Sequence, residues 1–147
     1  MTEEFQLNDD TYTGTKEVSE NLKFECKFLQ EWINDYVKGS GNIEKIEQFK
    51  GGQSNPTYKI TTENSAYVLR RKPPGKLLPK AHAVDREYKV ITALYETDVP
   101  VPKTYGLCED NSVVGTPFFL MEYVDGTVYW DQMLPKCSPE ELSLIHI

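Results

Sequence analysis

Tyr67-Val68-Leu69-Arg70-Arg71-Lys72-Pro73-Pro74-Gly75-Lys76-Leu77-Leu78-Pro79-Lys80-Ala81-His82-Ala83-Val84-Asp85-Arg86-Glu87-Tyr88 changes its rule of construction twice. Alternation with period two over residues 67–71 predicts a strand with Val68 and Arg70 on one face and Leu69 on the other. Three prolines and a glycine between Lys72 and Lys80 forbid regular structure and make that segment a connection. Helical spacing returns with Val84, Tyr88, Ile91 and Leu94 or Tyr95, which predicts a helix over roughly Ala83 to Glu96. Glu87 stands three residues after Val84 and four before Ile91, so it shares the apolar face of that helix. A carboxylate there needs a partner, because an unpaired buried charge is costly. Arg70 on the adjoining strand is the expected one, with charged atoms within about 4 Å; Arg71 and Lys72 remain open as competitors.

Working outward, short strands are predicted at Ile43 to Phe49 and Tyr58 to Thr62, separated by Gly51-Gly52, with a polar turn at Glu63-Asn64-Ser65. Downstream, Val99-Pro100-Val101-Pro102 restricts the chain to extended geometry, and strands follow at Thr104 to Cys108 and Phe118 to Tyr123. Upstream, Leu22, Cys26, Leu29, Trp32, Ile33, Tyr36 and Val37 recur at helical spacing between an N-cap at Ser19 and a C-cap at Gly39. That predicts one amphipathic helix of about five turns. Residues 1–18 are polar and aperiodic and are read as a disordered tail. The fold class is therefore α+β: a five-stranded antiparallel sheet with a helix inserted after the third strand, preceded by an N-terminal helix. This is the element order of a protein-kinase small lobe, and order alone does not fix a function.

A chain of 147 residues with 39% hydrophobic and 12% aromatic content is expected to fold. The formal net charge of −7 argues against nucleic acid and anionic membranes as partners, since both demand clustered Lys and Arg. A small phosphate ligand is still allowed, because one cation and a few backbone N–H groups hold it. Cys26, Cys108 and Cys137 are widely spaced without a Cys-x-x-Cys pair, which reads as reduced thiols in an intracellular protein. Cytoplasm, mitochondrion and peroxisome are not distinguished. No stretch approaches the length of a transmembrane span, and the acidic start carries neither a signal-peptide nor a transit-peptide pattern.

Three stretches besides the opening one carry chemistry. Phe49-Lys50-Gly51-Gly52-Gln53-Ser54-Asn55-Pro56-Thr57-Tyr58 is either a tight hairpin or a phosphate loop, in which adjacent glycines let N–H groups and the Ser54 hydroxyl face an anion. Val68 beside Arg70 suits a nucleotide, the apolar side chain packing on a base and the cation reaching phosphates; the competing reading is an edge strand with solvated charges. Pro117-Phe118-Phe119-Leu120-Met121-Glu122-Tyr123-Val124-Asp125-Gly126 is an apolar strand leaving into a glycine turn. His82 has no second ligand nearby and is read as a residue at the start of the helix or a packing residue, neither catalytic nor metal-binding.

At these spacings the four stretches together resemble the small lobe of aminoglycoside phosphotransferases and choline-kinase-like enzymes. In particular they resemble the kinase-like domain at the N-terminus of animal acyl-CoA dehydrogenase family members 10 and 11. The resemblance covers about residues 43–139 and includes Gly-Gly-Gln-Ser-Asn-Pro-Thr-Tyr at 51–58 and Phe-Leu-Met-Glu-Tyr-Val-Asp-Gly at 119–126. It implies ATP as cofactor. Gly51, Gly52, Ser54 and Asn55 would cover the triphosphate, Arg70 would take the α and β phosphates, and Glu87 would hold Arg70. Val68 would pack on the base, and Met121 would guard the back of the adenine pocket. Backbone groups of Glu122 and Val124 would meet the adenine edge. The loop departs from the full Gly-x-Gly-x-x-Gly of protein kinases.

Past Gly126 there is no His-x-Asp-x-x-x-x-Asn and no later Asp-bearing metal motif. The expected organisation is a tail at 1–18, a small lobe with hinge at 19–139, and a truncated or divergent end at 140–147. No catalytic residue is assigned, and Mg is expected to be held by a large lobe outside this sequence. The implied function is that of an N-terminal fragment of an ATP-dependent small-molecule phosphotransferase, inactive by itself. A nucleotide and a hydroxyl-bearing acceptor are the expected partners, the acceptor being a hydroxyacyl-CoA if a dehydrogenase domain is fused. The alternative is a non-catalytic nucleotide-binding or interaction module.

Overall fold

In the computed structural model, residues 12–51, 54–79, 81–129, 134 and 137–144 are described. Strands β1 (Thr15–Lys16), β2 (Ile43–Phe49), β3 (Thr57–Thr62), β4 (Ala66–Arg71), β5 (Thr104–Cys108) and β6 (Phe118–Glu122) form one sheet in the order β1-β2-β3-β4-β6-β5. Every neighbouring pair is antiparallel. The β3–β4 hairpin closes through Thr62, whose N–H and hydroxyl both donate to the Ser65 carbonyl at 2.8 and 3.0 Å. Helices α1 (Cys26–Tyr36), α2 (Val84–Leu94), α3 (Asn111–Val114) and α4 (Pro139–Leu144) complete the chain, α2 being inserted between β4 and β5.

Alternation along the strands separates two faces. Tyr58, Ile60, Tyr67, Leu69, Phe118 and Leu120 pack with Leu29, Trp32 and Ile33 of α1 into one core. Each large apolar side chain fully buried there contributes about 1.5–3 kcal/mol relative to exposure. Trp32 meets Phe118 edge-on, with centroids 4.9 Å apart. On β5, Gly106 lets the α1 aromatics come close: a Cβ there would stand 2.8 Å from Tyr36 Cδ1 and 3.1 Å from Trp32. The opposite face carries Thr57, Lys59, Val68 and Arg70, with Phe119 and Met121 paired across β4–β6. Helix α2 covers one end of that face, Tyr88 lying 6.0 Å from Phe119.

Two sequence expectations need correction. The helix from Ser19 to Gly39 is interrupted: a 3-10 turn at Glu20–Leu22 ends in extended backbone at Lys23, and α1 begins only at Cys26. The cause is tertiary. The Leu22 carbonyl accepts from the Tyr58 hydroxyl at 3.2 Å, with Arg71 Nη1 at 3.5 Å, so it is not available to the next helical turn, and Phe24 packs edge-on against Tyr58 instead. The disordered tail also ends earlier than residue 18, because Thr15 and Lys16 pair with Phe49 and Gln48 as a sixth strand. Residues 1–11 of that tail lie outside the described residues.

At the other end, α4 runs across the boundary drawn between residues 139 and 140, and residues 145–147 lie outside the described residues. The helix starts with a reciprocal cap in which Ser138 N–H donates to Glu141 Oε2 at 2.8 Å and Glu141 N–H donates to Ser138 Oγ at 3.3 Å. Among the described residues no helix is long and apolar enough to cross a bilayer.

Candidate functional site

Arg70 leaves β4 on the face away from α1 and meets Glu87 of α2 by two bonds, Nε to Oε2 at 2.6 Å and Nη2 to Oε1 at 3.3 Å. Its Nη1 donates to the Thr57 hydroxyl at 3.2 Å, which itself donates to the Asn55 carbonyl at 2.9 Å. Strand alternation and helix periodicity thus bring the expected pair together. The side chains remain 27% and 36% exposed, so the pair is open to a ligand from one side.

The network extends beyond the pair. Asn55, 3% exposed, donates Nδ2 to Glu87 Oε1 at 3.1 Å. A carboxylate only accepts, which fixes the amide orientation, so Asn55 Oδ1 must accept from His82 Nδ1 at 3.0 Å. Neutral His82 therefore carries its proton on Nδ1. His82 lies two residues ahead of α2, whose N-cap is Ala83; its carbonyl accepts from Val84 N–H at 2.9 Å, and its backbone has φ 56, in the left-handed region. Its bond to Asn55 was not anticipated from the sequence, because 27 residues separate the two.

A cavity of about 410 Å³ opens beside Arg70 on this face, between the loop after β2 and the chain leaving β6. Of the residues singled out in the sequence, Gly51, Val68, Arg70 and Val124 line it. Phe49 and Tyr123 line it too, so the cavity has aromatic walls beside the polar groups of Arg70 and Thr57. Lys59 lies beneath, its Nζ 4.2 Å from the Tyr123 ring centroid. Sequence reasoning passed over Lys59, although its register opposite Val68 places it on this face.

The remaining candidates are distributed around that cavity. Ser54, Asn55 and Glu87 line a second space of about 610 Å³ at the start of α2, reached from the other side of Arg70 and bordered by His82 and Arg86. The smaller cavity is the better match to a nucleotide, because it alone of these two meets the segment after β6. Met121 sits opposite Val68 in register and lines neither space. Glu122 N–H is taken by the Lys103 carbonyl at 2.8 Å, so that amide is not open to a ligand. Gly52 lies outside the described residues. No three His, Cys, Asp or Glu side chains converge as a metal site among the described residues.

Arg71 is excluded from the phosphate role by its direction. It points into the α1 side at 3% exposure, where Nη1 donates to the Val114 carbonyl at 3.0 Å and the guanidinium lies over Phe24 and Tyr58. Burial pushes its pKa below the ordinary value. Lys72 lines neither cavity.

Residues 45–145 match the family model described as the phosphotransferase enzyme family. Human acyl-CoA dehydrogenase family member 11 is 43% identical over 142 residues, which is 92% of this chain and 18% of that protein. Mouse acyl-CoA dehydrogenase family member 10 is 46% identical over 123 residues, covering 80% of this chain and 11% of the relative. The chain thus spans under a fifth of the length of either relative. A solved structure described as an aminoglycoside phosphotransferase, from Ralstonia eutropha, superposes with a TM-score of 0.70 at 47% identity, covering 84% of this chain and 35% of that one. The six-stranded sheet with its inserted helix is the small-lobe part of that kinase-like fold, and the chain belongs to the phosphotransferase enzyme family.

Proposed function

We propose that this lobe binds the nucleotide of an ATP-dependent phosphotransferase whose acceptor is the hydroxyl of a small molecule. The observation that carries this reading is Arg70, held by Glu87, in the wall of a cavity that Phe49, Val68 and Tyr123 line with aromatic and apolar surface. Adenine is flat and apolar on its faces, and a triphosphate needs a fixed cation, so the two kinds of wall match the two halves of the ligand. ATP supplies the phosphoryl group to be transferred.

In this reading Val68 packs on the base, with Met121 behind it, and backbone groups of Val124 and the Glu122 carbonyl meet the adenine edge. Gly51, Ser54 and Asn55 lie over the phosphates. Arg70 takes phosphate oxygens with N–H bonds its partners leave open, since its bonds to Glu87 and Thr57 occupy three of a guanidinium's five donors. Arginine suits this double task better than lysine, whose point charge cannot hold two partners in a fixed plane. No Mg site forms among the described residues, and Mg would be held by a large lobe outside this sequence. The acceptor class we infer is a hydroxyacyl-CoA, supported by the names of the relatives. The three cysteines are free thiols, in keeping with an intracellular location.

Calorimetric titration of the chain with ATP tests the nucleotide role: saturable binding that Arg70→Ala abolishes is expected, and no binding by the unaltered chain would refute it. The acceptor is tested on a protein containing the entire phosphotransferase domain, by mass spectrometry after incubation with ATP and a hydroxyacyl-CoA. A mass gain of one phosphoryl group is expected, and an unchanged thioester would eliminate this acceptor.

A further inference from the structure

The segment ahead of the lobe lies against the same cavity. Tyr12, Thr13 and Gly14 line the 410 Å³ space together with Phe49, Tyr123 and Arg70. Four contacts fix the segment in place. Thr15 and Lys16 pair with Phe49 and Gln48, and the Gly14 carbonyl accepts from Lys50 N–H at 3.1 Å. Thr15 Oγ1 donates to Glu47 Oε1 at 3.1 Å, and Ser19 N–H donates to Gln48 Oε1 at 3.1 Å. Gly14, at φ 82, supplies the left-handed bend from which the strand departs. Tyr12 is half-buried there.

We propose that residues 12–14 are a built wall of the nucleotide site, with Tyr12 a contact for the base that helps set affinity and base selectivity. This inference rests on the nucleotide reading above. Three aromatic rings, from the leading segment, the arm of the glycine loop and the chain after β6, border the space together with Arg70. A planar heteroaromatic ring is the ligand part that such walls accept. The wall lies outside residues 45–145, the span of the family model. Its bond to Lys50 also ties the first arm of the glycine loop to the segment, so the two sides of the cavity are positioned together.

The test is calorimetric titration of the chain with ATP and, separately, with inorganic tripolyphosphate, using Tyr12→Ala, Tyr12→Phe and Arg70→Ala. Tyr12→Ala is expected to weaken ATP binding about fivefold, the size of one lost aromatic contact, and to leave tripolyphosphate binding unchanged. Tyr12→Phe restores ATP affinity, and Arg70→Ala weakens both ligands. Wild-type ATP affinity in Tyr12→Ala beside a loss in Arg70→Ala overturns the wall and leaves the nucleotide site standing. Equal weakening of both ligands by Tyr12→Ala overturns the base contact, because the ring then acts only on the fold. If the unaltered chain binds neither ligand, the nucleotide reading falls first and this inference with it.

Discussion

Asn55 Nδ2 and Arg70 Nη2 converge on the same oxygen of Glu87, at 3.1 and 3.3 Å, so that the glycine loop, β4 and α2 meet at one carboxylate atom. Replacing that carboxylate leaves Arg70 with Thr57 as its remaining partner and takes the acceptor from Asn55 Nδ2. Glu87→Ala is expected to cost about 1 kcal/mol, as for a partly exposed pair, and to lower Tm by roughly 3 °C. ATP affinity should fall at least about tenfold, since Arg70 is no longer held in place. Differential scanning calorimetry and ATP titration on the same variant check both; unchanged affinity would detach Glu87 from the site.

Arg71 gives the opposite pattern. Its guanidinium supports the Val114 carbonyl and stands near that of Leu22 from within the core, and its Nε has no partner among the described residues. Arg71→Ala leaves a cavity and takes the donor from the Val114 carbonyl, which together cost about 3 kcal/mol. Urea denaturation should register that loss while ATP affinity of the folded protein is unaltered. A variant as stable as the parent would mean that the buried cation contributes nothing.

The edge formed by β1 has a pH signature. Glu47 is held below the ordinary glutamate range, first by its bond to Lys45 and further by Thr15. A depressed folded-state pKa gives a contribution that is complete above the unfolded value and lost as pH falls through the folded one. Carbon-detected NMR titration should place the Glu47 midpoint below those of exposed glutamates in the chain, and Lys45→Met should move it up. A midpoint insensitive to Lys45 would disprove the coupling.

Catalytic competence is expected to be absent from the 147 residues alone, because no His-x-Asp-x-x-x-x-Asn follows Gly126. Incubation with ATP, Mg and hydroxyl acceptors should give no turnover above an Arg70→Ala control. Mg-dependent turnover above that control would show that the residues present suffice.

What could be read from the sequence was whatever local periodicity encodes. Val68 and Arg70 share a face because strands alternate, and Glu87 faces them because it keeps the phase of Val84 and Ile91. The break before α1 could not be read that way: the groups that claim the Leu22 carbonyl, Tyr58 and Arg71, come 36 and 49 residues later. Strand β1 is two residues long and leaves no period to detect, so Tyr12 and Gly14 looked like tail. The His82–Asn55 bond depends on a loop and a connector meeting in space, and neither carries a pattern. Arg71 was separable from Arg70 only once the core side of β4 was known.

Gly106 has a consequence for tolerance to change. The shortest added side chain would press on Tyr36 at 2.8 Å, an atom of a ring already stacked on Trp32 with centroids 4.2 Å apart. Tyr36 is 53% exposed and could swing outward by leaving the stack, but Trp32, 3.1 Å from the added atom, is buried and held against Phe118. In a library randomised at residue 106 and sorted for folded protein, glycine should therefore be recovered almost alone. A neighbouring position such as Leu107 should accept several apolar replacements in the same sort, so position 106 serves as an internal ruler of how closely the first helix must approach the sheet.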